Sequence, residues 1–517
     1  MTDPNPLFLH PGDLAIQSTI RLPLPLIVGN KDYAQREALL IRMNDLLVAS
    51  GIEIKFIAAW VRLAIEEATK ANDGKSPGPL TDRRKATLHQ QASESLRCTL
   101  ARILSNESHR SFSTHLAESS LLQWFCHVQS PDGIVRVPSK SSLQRMEASV
   151  PTEVVQSIHR ELIRQASGKN SDDGLPNLSL AEAVDLSVAW MDSTCAKLDI
   201  HYPTDWALLR DATRSIMASI TVIRNHGLLH RMAEPSSFVA TMNQYTMAMS
   251  AASRKGRGGD KKKARKNTLR AMKRVVAKVR QHGQRYRELL HSSWKKTDLS
   301  EAAAQVILDR LDKILAAIPD AVKQAHERII GERVVPTEEK LLSLYEQHAE
   351  VYVRGKSGAD VEFGLQMLLS ESAEGLIIDC ELTPDGIASD SKLLIPAVKR
   401  IQQVYGSKAC TTVVTDRGFS SKANSAALTE VGIIDATLPR SPEVMAKRLT
   451  DPDFRALVVR RAQTEARIGI FKANFLGDHL PIKGRQAQER YVAWATLAHN
   501  LWVLARLEQR PALLKSA

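Results

Sequence analysis

A chain of 517 residues is too long for one hydrophobic core and long enough for about two to four domains. Its 43% hydrophobic and 25% charged residues are globular values that exclude wholesale disorder. No apolar run reaches the roughly 18 residues of a membrane span, and Met1 to Pro11 lacks the basic-then-apolar order of a signal peptide, so a cytoplasmic protein is expected. A net charge of +13 favours a polyanionic partner, nucleic acid or an anionic membrane surface, and five dispersed cysteines with no C-x-x-C pair argue against a zinc ribbon, a redox motif or a disulfide framework.

From Asp32 to Ala71 apolar residues recur at helical spacing (Leu39, Leu46, Leu47, then Ile54, Ile57, Val61), with Gly51 separating two helices and the polar stretch Asn72 to Pro79 ending them. A second helical group runs from about Lys85 to Val128, and Pro131-Asp132-Gly133 makes a turn. Ser139 can then cap a helix carrying Lys140, Gln144 and Arg145 on its first exposed turns. Two readings stand: a helix-turn-helix in which these three side chains read bases in the major groove, or an ordinary helical bundle. Residues 1–165 are therefore expected to be a mostly α-helical N-terminal region. A linker over 166–182 follows, richest in Ser, Gly, Asn and Asp between Ala166 and Pro176.

Beyond it the texture changes to α/β. Ala183 to Met191 reads as a strand that delivers Asp192 at its end. Val361 to Leu369, Gly375 to Leu382, Cys410 to Thr415 and Gly432 to Leu438 read as further short strands, several separated by helical segments, a pattern of mixed strand directions. Thr204 to Ser343 is helical throughout by periodicity and interrupts the strands as an insertion. Within it Leu269, Met272, Val276 and Val279, and again Leu308, Leu311, Leu315 and Ile318, form apolar seams that an antiparallel helical hairpin would bury.

Arg254 to Arg280 holds thirteen Lys or Arg and one acid, Asp260, which supplies +12 of the net charge. The first half of this segment has three glycines and reads as a flexible loop, and the second half as a helix with cations opposite its seam. A nuclear-import tag or a membrane-surface helix are competing uses of such a cluster. With no aromatic anchor in the segment, phosphate-backbone binding through Lys261, Lys262, Lys263, Arg265, Lys266, Lys273 and Arg274 is the favoured expectation.

Three acids stand out by context: Asp192 in MDST, Asp416 closing the run TTVVTD, and Glu465 on an amphipathic helix. On that helix Arg461, Glu465, Ile468 and Lys472 are spaced by 4, 3 and 4 residues, which sets two cations and a carboxylate on one face. Alone, each acid reads more readily as a cap or turn residue than as a ligand.

Taken together these residues resemble the DDE transposases of bacterial insertion sequences, in the group with an R-x3-E-x6-K signature, matched by Arg461, Glu465 and Lys472. Where that group often has a Tyr three positions before the Arg, this chain has Val458. The stretch Asp192 to Ala212 resembles the first-acid block, Val361 to Gly364 and Ser389 to Leu394 the middle blocks, TDRGF the second-acid block, and Trp494 to Leu507 the closing helix. The resemblance implies a ribonuclease H-like α/β catalytic domain over 183–203 and 344–510, interrupted by the helical insertion 204–343. It also implies that Asp192, Asp416 and Glu465 hold two Mg²⁺ or Mn²⁺ ions for DNA strand cleavage and strand transfer, with Arg461 and Lys472 on neighbouring phosphates. The partners implied are the element's terminal repeats and target DNA, in a homo-oligomeric complex bound to the bacterial nucleoid. A metal-dependent nuclease that never joins strands and a catalytically inactive, domesticated DNA-binding protein are the rival readings.

Two G-K-S tripeptides, Gly74 to Ser76 and Gly355 to Ser357, lack the earlier Gly of a phosphate-binding loop, since Thr69 and Glu350 stand there, so ATP hydrolysis is rejected. Asp390 reads as a helix N-cap rather than as a further acid of the site. His201 and His499 read as packed, hydrogen-bonded histidines, and Cys195 as core.

Overall fold

The computed structural model describes residues 23–71, 81–129, 134–254, 259–336, 339–356, 359–383 and 389–510. The expected turn at Pro131 to Gly133, the polar stretch Asn72 to Pro79 with the first G-K-S tripeptide, Ser357 of the second and both termini lie outside them. Side-chain caps open the N-terminal helices. Asn30 caps α1 (Lys31–Ala49), Gly51 at φ +69° separates it from α2 (Ile52–Ala71), and Thr81 caps α3 (Asp82–Leu104). Then come α4 (His109–Glu118), α5 (Ser120–Cys126), α6 (Lys140–Ala148) and α7 (Thr152–Ser167). Ser139 caps α6 through the Ser142 amide, and Lys140, Gln144 and Arg145 are exposed on it. The glycine- and asparagine-rich segment after α7 is a tight turn, closed by a bridge between Lys169 and Pro176.

The chain divides into two compact units, residues 198–365 and the remainder on either side. In the flanking unit β1 (Val188–Lys197) pairs in parallel with β5 (Thr412–Val414), which pairs in parallel with β6 (Ile434–Asp435). On the other side of β1 lies β3 (Ala359–Glu371), whose residues 367–371 pair antiparallel with β4 (Ile377–Leu382). The sheet is thus mixed. Helices α12 (Asp390–Tyr405), α13 (Lys422–Glu430), α14 (Pro442–Arg448), α15 (Pro452–Phe471) and α16 (Arg485–Leu504) complete this unit.

Two strand expectations are corrected. β1 begins at Val188, not at Ala183, and Asp192 lies in its middle because Thr194, Cys195 and Ala196 continue the strand into the core. The run Gly432 to Leu438 shrinks to a two-residue strand.

The other unit contains α8 (Asp205–Asn225), α9 (Pro235–Arg254), α10 (Gly259–Ser293) and α11 (Glu301–Ile329), then β2 (Glu350–Lys356), which pairs antiparallel with the first half of β3 (Ala359–Glu371). Both apolar seams are buried as expected, but not as an isolated hairpin: Leu269, Met272, Val276, Val279, Leu308, Leu311 and Ile318 share one core with Leu209, Ile216 and Ile220 of α8 and Met242 and Met249 of α9. At Gly283 of α10 a Cβ would come within 3.0 Å of Ile216 and 3.2 Å of Leu315, so any larger residue would have to push these side chains aside. The expected loop before the first seam, of which residues 255–258 lie outside the described residues, is corrected in its later part. Lys261 to Lys266 lie inside α10, because Lys, Ala and Arg are strong helix formers and propagate the helix outward from its packed part. Nor is the whole of Thr204 to Ser343 helical, since the helices end at Ile329.

A buried ion pair ties α2 to α3, as a second, Arg102–Glu147, ties α3 to α6. Arg97 of α3, fully buried, grips Glu53 of α2 with Nε and Nη2, each at 2.6 Å, while Nη1 donates to the Phe125 carbonyl. Burial opposes the charge on Glu53, but the Arg97 bonds outweigh it and hold the carboxyl down at about 2. Glu53→Gln leaves a buried guanidinium without its counter-charge and is expected to cost about 3–5 kcal/mol in urea unfolding; a change under about 1 kcal/mol would show that Arg97 finds other acceptors.

Candidate active site and cationic surface

Strand register brings the first two acids together. Trp190 of β1 is paired with Val414, the last residue of β5; Asp192 follows two residues later within β1 and Asp416 two residues past the end of β5, near enough for the charge of Asp416 to act on Asp192. Trp190, Val414 and Ala436 form an apolar cluster with Phe454 of α15, and Leu457 and Val458 pack against it. Val458, where the resembling family often has Tyr, is thus a packing residue.

From that anchor α15 follows β1 rung by rung. Trp190 Nε1 donates to the Leu457 carbonyl at 3.2 Å, Arg461 Nη2 stands 3.4 Å from Asp192 Oδ2, and Lys472 Nζ donates to Thr194 Oγ1 at 3.3 Å. Lys472 opens a π-helical turn, Lys472–Leu476. Glu465, one turn past Arg461, is exposed on α15 near enough for its charge to act on Asp192.

Burial pushes the Asp192 carboxyl up to about 6, helped by the negative charges of Asp416 and Glu465 and opposed by Arg461 and the Ser193 amide. Arg461 answers only part of the repulsion, and its Nε is buried with no acceptor.

A fourth acid joins the site. Asp390 is not the N-cap of α12; Ser389 occupies that position. The Asp390 carboxylate instead accepts from Gln366 Nε2 at 3.3 Å and from the Ser193 hydroxyl, and burial and Asp416 together raise its pKa. A Cβ at Gly418 would come within 2.9 Å of both Asp390 Oδ2 and Asp416 Oδ1, while the Gly418 amide donates to Asp416 Oδ1 at 2.8 Å. The glycine of TDRGF is where the two carboxylates converge. The sequence signal for Asp390 was its place in SDSKLL, but a Ser-Asp pair at a helix start satisfies capping rules equally well.

The donor chemistry of Asp192, Asp416, Glu465 and Asp390 fits hard divalent cations. Their spacing is open: among the described residues no three His, Cys, Asp or Glu side chains are gathered closely enough to enclose an ion. Of the other candidates, Cys195 is buried, and His499 is buried with Nδ1 3.0 Å from Asn500 Oδ1, as expected, whereas His201 is exposed rather than packed.

In the helical unit the cations of α10 sort into two sets. Lys262 and Lys266 are both paired to Glu332, at 2.5 and 2.6 Å, Lys273 stands 3.3 Å from His326 Nδ1, and Lys261 and Arg265 are half-buried. Lys263, Arg270, Arg274, Lys278 and Arg285 are exposed at helical spacing on one face, which spans about 33 Å at 1.5 Å per residue. Only Asn267 and Gln281 interrupt them.

Residues 333–501 match the family model of the transposase DDE domain. The match includes Asp390, Asp416, Arg461, Glu465 and Lys472 and begins after Asp192. Comparison with curated proteins and with solved structures yields no match. Among the described residues no helix is long and apolar enough to cross a membrane.

The raised Asp192 pKa makes a signed prediction. An acid whose folded pKa lies above its unfolded value of about 3.8 favours the fold below that pH and loses this contribution as pH rises through about 6. In chelator, Asp192→Asn is therefore expected to gain stability relative to the unmutated protein between pH 4 and pH 7, by about 1–3 kcal/mol. A stability difference that is flat over that range would place the charge of Asp192 in water.

Proposed function

With a transposase DDE domain in residues 333–501 as premise, we propose that this protein is the DNA transposase of an insertion sequence, cutting and joining phosphodiester bonds on a ribonuclease H-like sheet interrupted by the helical unit. The observation that carries the reading is the gathering of three acids: Asp192 in β1, Asp416 just past the end of the parallel neighbour β5, and Glu465 on α15, the last two near enough for their charges to act on Asp192. Asp192, Asp416 and Glu465 would hold two Mg²⁺ or Mn²⁺ ions, which stabilise charge on the attacking and leaving oxygens. Arg461, with donor capacity to spare, offers hydrogen bonds to the non-bridging oxygens of the scissile phosphate, and Lys472 places a second cation further along β1. Burial of Asp192 keeps its affinity for a positive charge high. Retention of all the acids favours an active enzyme over a domesticated binding protein.

Asp192→Asn, Asp416→Asn and Glu465→Gln are each expected to lower metal-dependent cleavage of terminal-repeat DNA at least a thousandfold while leaving DNA binding intact, and Arg461→Ala and Lys472→Ala to reduce it only partly. The assay uses supercoiled plasmid carrying matched repeats. Joined products support the transposase, nicks alone support the nuclease reading, and an acid variant that cuts near the unmutated rate removes that residue from the site.

The exposed row on α10 supports a phosphate-backbone contact, in which Lys263, Arg270, Arg274 and Lys278 contribute more than Lys262 and Lys266, whose charges Glu332 already answers. Each Gln substitution in the first group is expected to reduce the log–log salt slope of binding by roughly 0.9 on any duplex. In the same titrations Lys140→Ala, Gln144→Ala and Arg145→Ala should weaken binding to the terminal repeat by about 1–3 kcal/mol per base contact and binding to random duplex little. Unchanged slopes would take α10 off the interface, and equal losses on both duplexes would make α6 a backbone contact.

A further inference from the structure

Helix α15 has two working faces about 100° apart. Arg461 and Glu465 turn toward Asp192; the adjoining face, one residue back at Arg460 and Thr464, turns to β3 and ends on a different carboxylate. Glu371 is only 5% exposed. Its Oε1 accepts from Arg460 Nη1 at 3.0 Å and from the Thr464 hydroxyl at 2.7 Å, and Arg467 Nη1 stands 3.9 Å away.

Arg460 is fixed on every side. Beyond Glu371, its Nη2 donates to the carbonyls of Ser372 at 2.9 Å and Ala373 at 3.0 Å, its Nε donates to Ala373 at 3.1 Å, and the guanidinium lies 4.6 Å from the centroid of the Trp190 ring. Arg467 Nη1 donates to the same Ala373 carbonyl at 3.2 Å and covers Gly375, where φ is +92° and a Cβ would come within 2.5 Å of the guanidinium. The turn between β3 and β4 is thereby shaped around two arginines of α15.

The magnitudes give this lock a purpose. A side-chain carboxylate stands about 5–6 Å from its helix axis, so a rotation of about 20° moves it by about 2 Å. A metal-ligand distance tolerates about 0.2 Å. Apolar packing at Phe454 and Val458, about three and two turns before Glu465, does not fix rotation to that accuracy, but a buried carboxylate joined to Arg460 and Thr464 holds the helix at the residue next to Glu465.

We propose that Glu371 is a positioning residue: through Arg460 and Thr464 it sets the rotation of α15, so that Glu465 and Arg461 face Asp192. The metal-binding consequence rests on the transposase reading above; the positioning itself does not. It makes Glu371 a carboxylate essential to the site that never touches DNA or an ion.

The test uses the full-length protein and two readouts, hydrogen–deuterium exchange of the α15 amides and binding of Mn²⁺ alone, followed by the paramagnetic signal of the free ion. Glu371→Gln keeps the size and one acceptor and loses the charge. It is expected to raise exchange over residues 461–471 at least tenfold, with β1 still protected, and to weaken Mn²⁺ binding about tenfold. Glu371→Asp, which restores the charge, should recover part of both. If Glu371→Gln does not fold, Thr464→Val removes a single bond and is expected to shift both readouts about threefold. Unmutated exchange and Mn²⁺ affinity in a folded variant would overturn the proposal. If the unmutated protein binds no Mn²⁺ yet Glu371→Gln still frees α15, the metal-site reading fails and the positioning role stands.

Discussion

Keeping Asp192 and Asp390 beside Asp416 opposes the rest of the folding free energy, since burial removes water from both carboxylates, Asp416 repels each of them and Glu465 repels Asp192. Backbone and apolar packing do most of the placing: Asp192 lies within β1, Asp416 two residues past β5, Glu465 on α15, which packs on Trp190, and Asp390 in the first turn of α12. Hydrogen bonds from the Ser193 amide to Asp192, from the Gly418 amide to Asp416 and from Gln366 to Asp390 add to it. Arg461 stands against Asp192 and offsets part of this repulsion. Placement by backbone and packing keeps most of the shape of the site when a carboxylate is neutralised.

A second constraint comes from α16, which is buried along nearly its whole length. Trp494 lies against Phe56 of α2 and donates to the Glu147 carbonyl of α6, while Asn500 bonds His159 of α7 and the backbone of Ile377 in β4. Burial pushes the His159 and His499 pKa values down to about 4, so both rings are neutral in this contact near pH 7. One helix near the end of the chain therefore joins the N-terminal helices to the sheet. This is why the glycine- and asparagine-rich segment after α7 lies within one compact unit.

What the sequence disclosed follows from the range of the forces involved. Helix caps, the break at Gly51 and the two seams of α10 and α11 are local, and they were legible. The acids were legible only as a set, through resemblance, because a lone Asp after an apolar run has many explanations. Asp192 looked like a strand end since Asp and Ser have low strand propensity, yet pairing on both sides of β1 overrides propensity. Asp390 was misread because its partners Ser193 and Gln366 are far away in sequence. Glu371 and Arg460 carried no pattern at all; their bond exists only once β3 and α15 have met.

The hydrogen bond from the Leu198 amide to the Phe363 carbonyl, at 3.1 Å, has a meaning for the history of the gene. It holds side by side the two points at which the chain enters and leaves the helical unit. A segment with adjoining ends can be spliced into or out of a sheet protein with little change in loop-closure entropy, because the strands it separates are already neighbours. The ends of this unit meet, so a change of length between them leaves the β1–β5 ladder of the flanking unit to its own backbone hydrogen bonds.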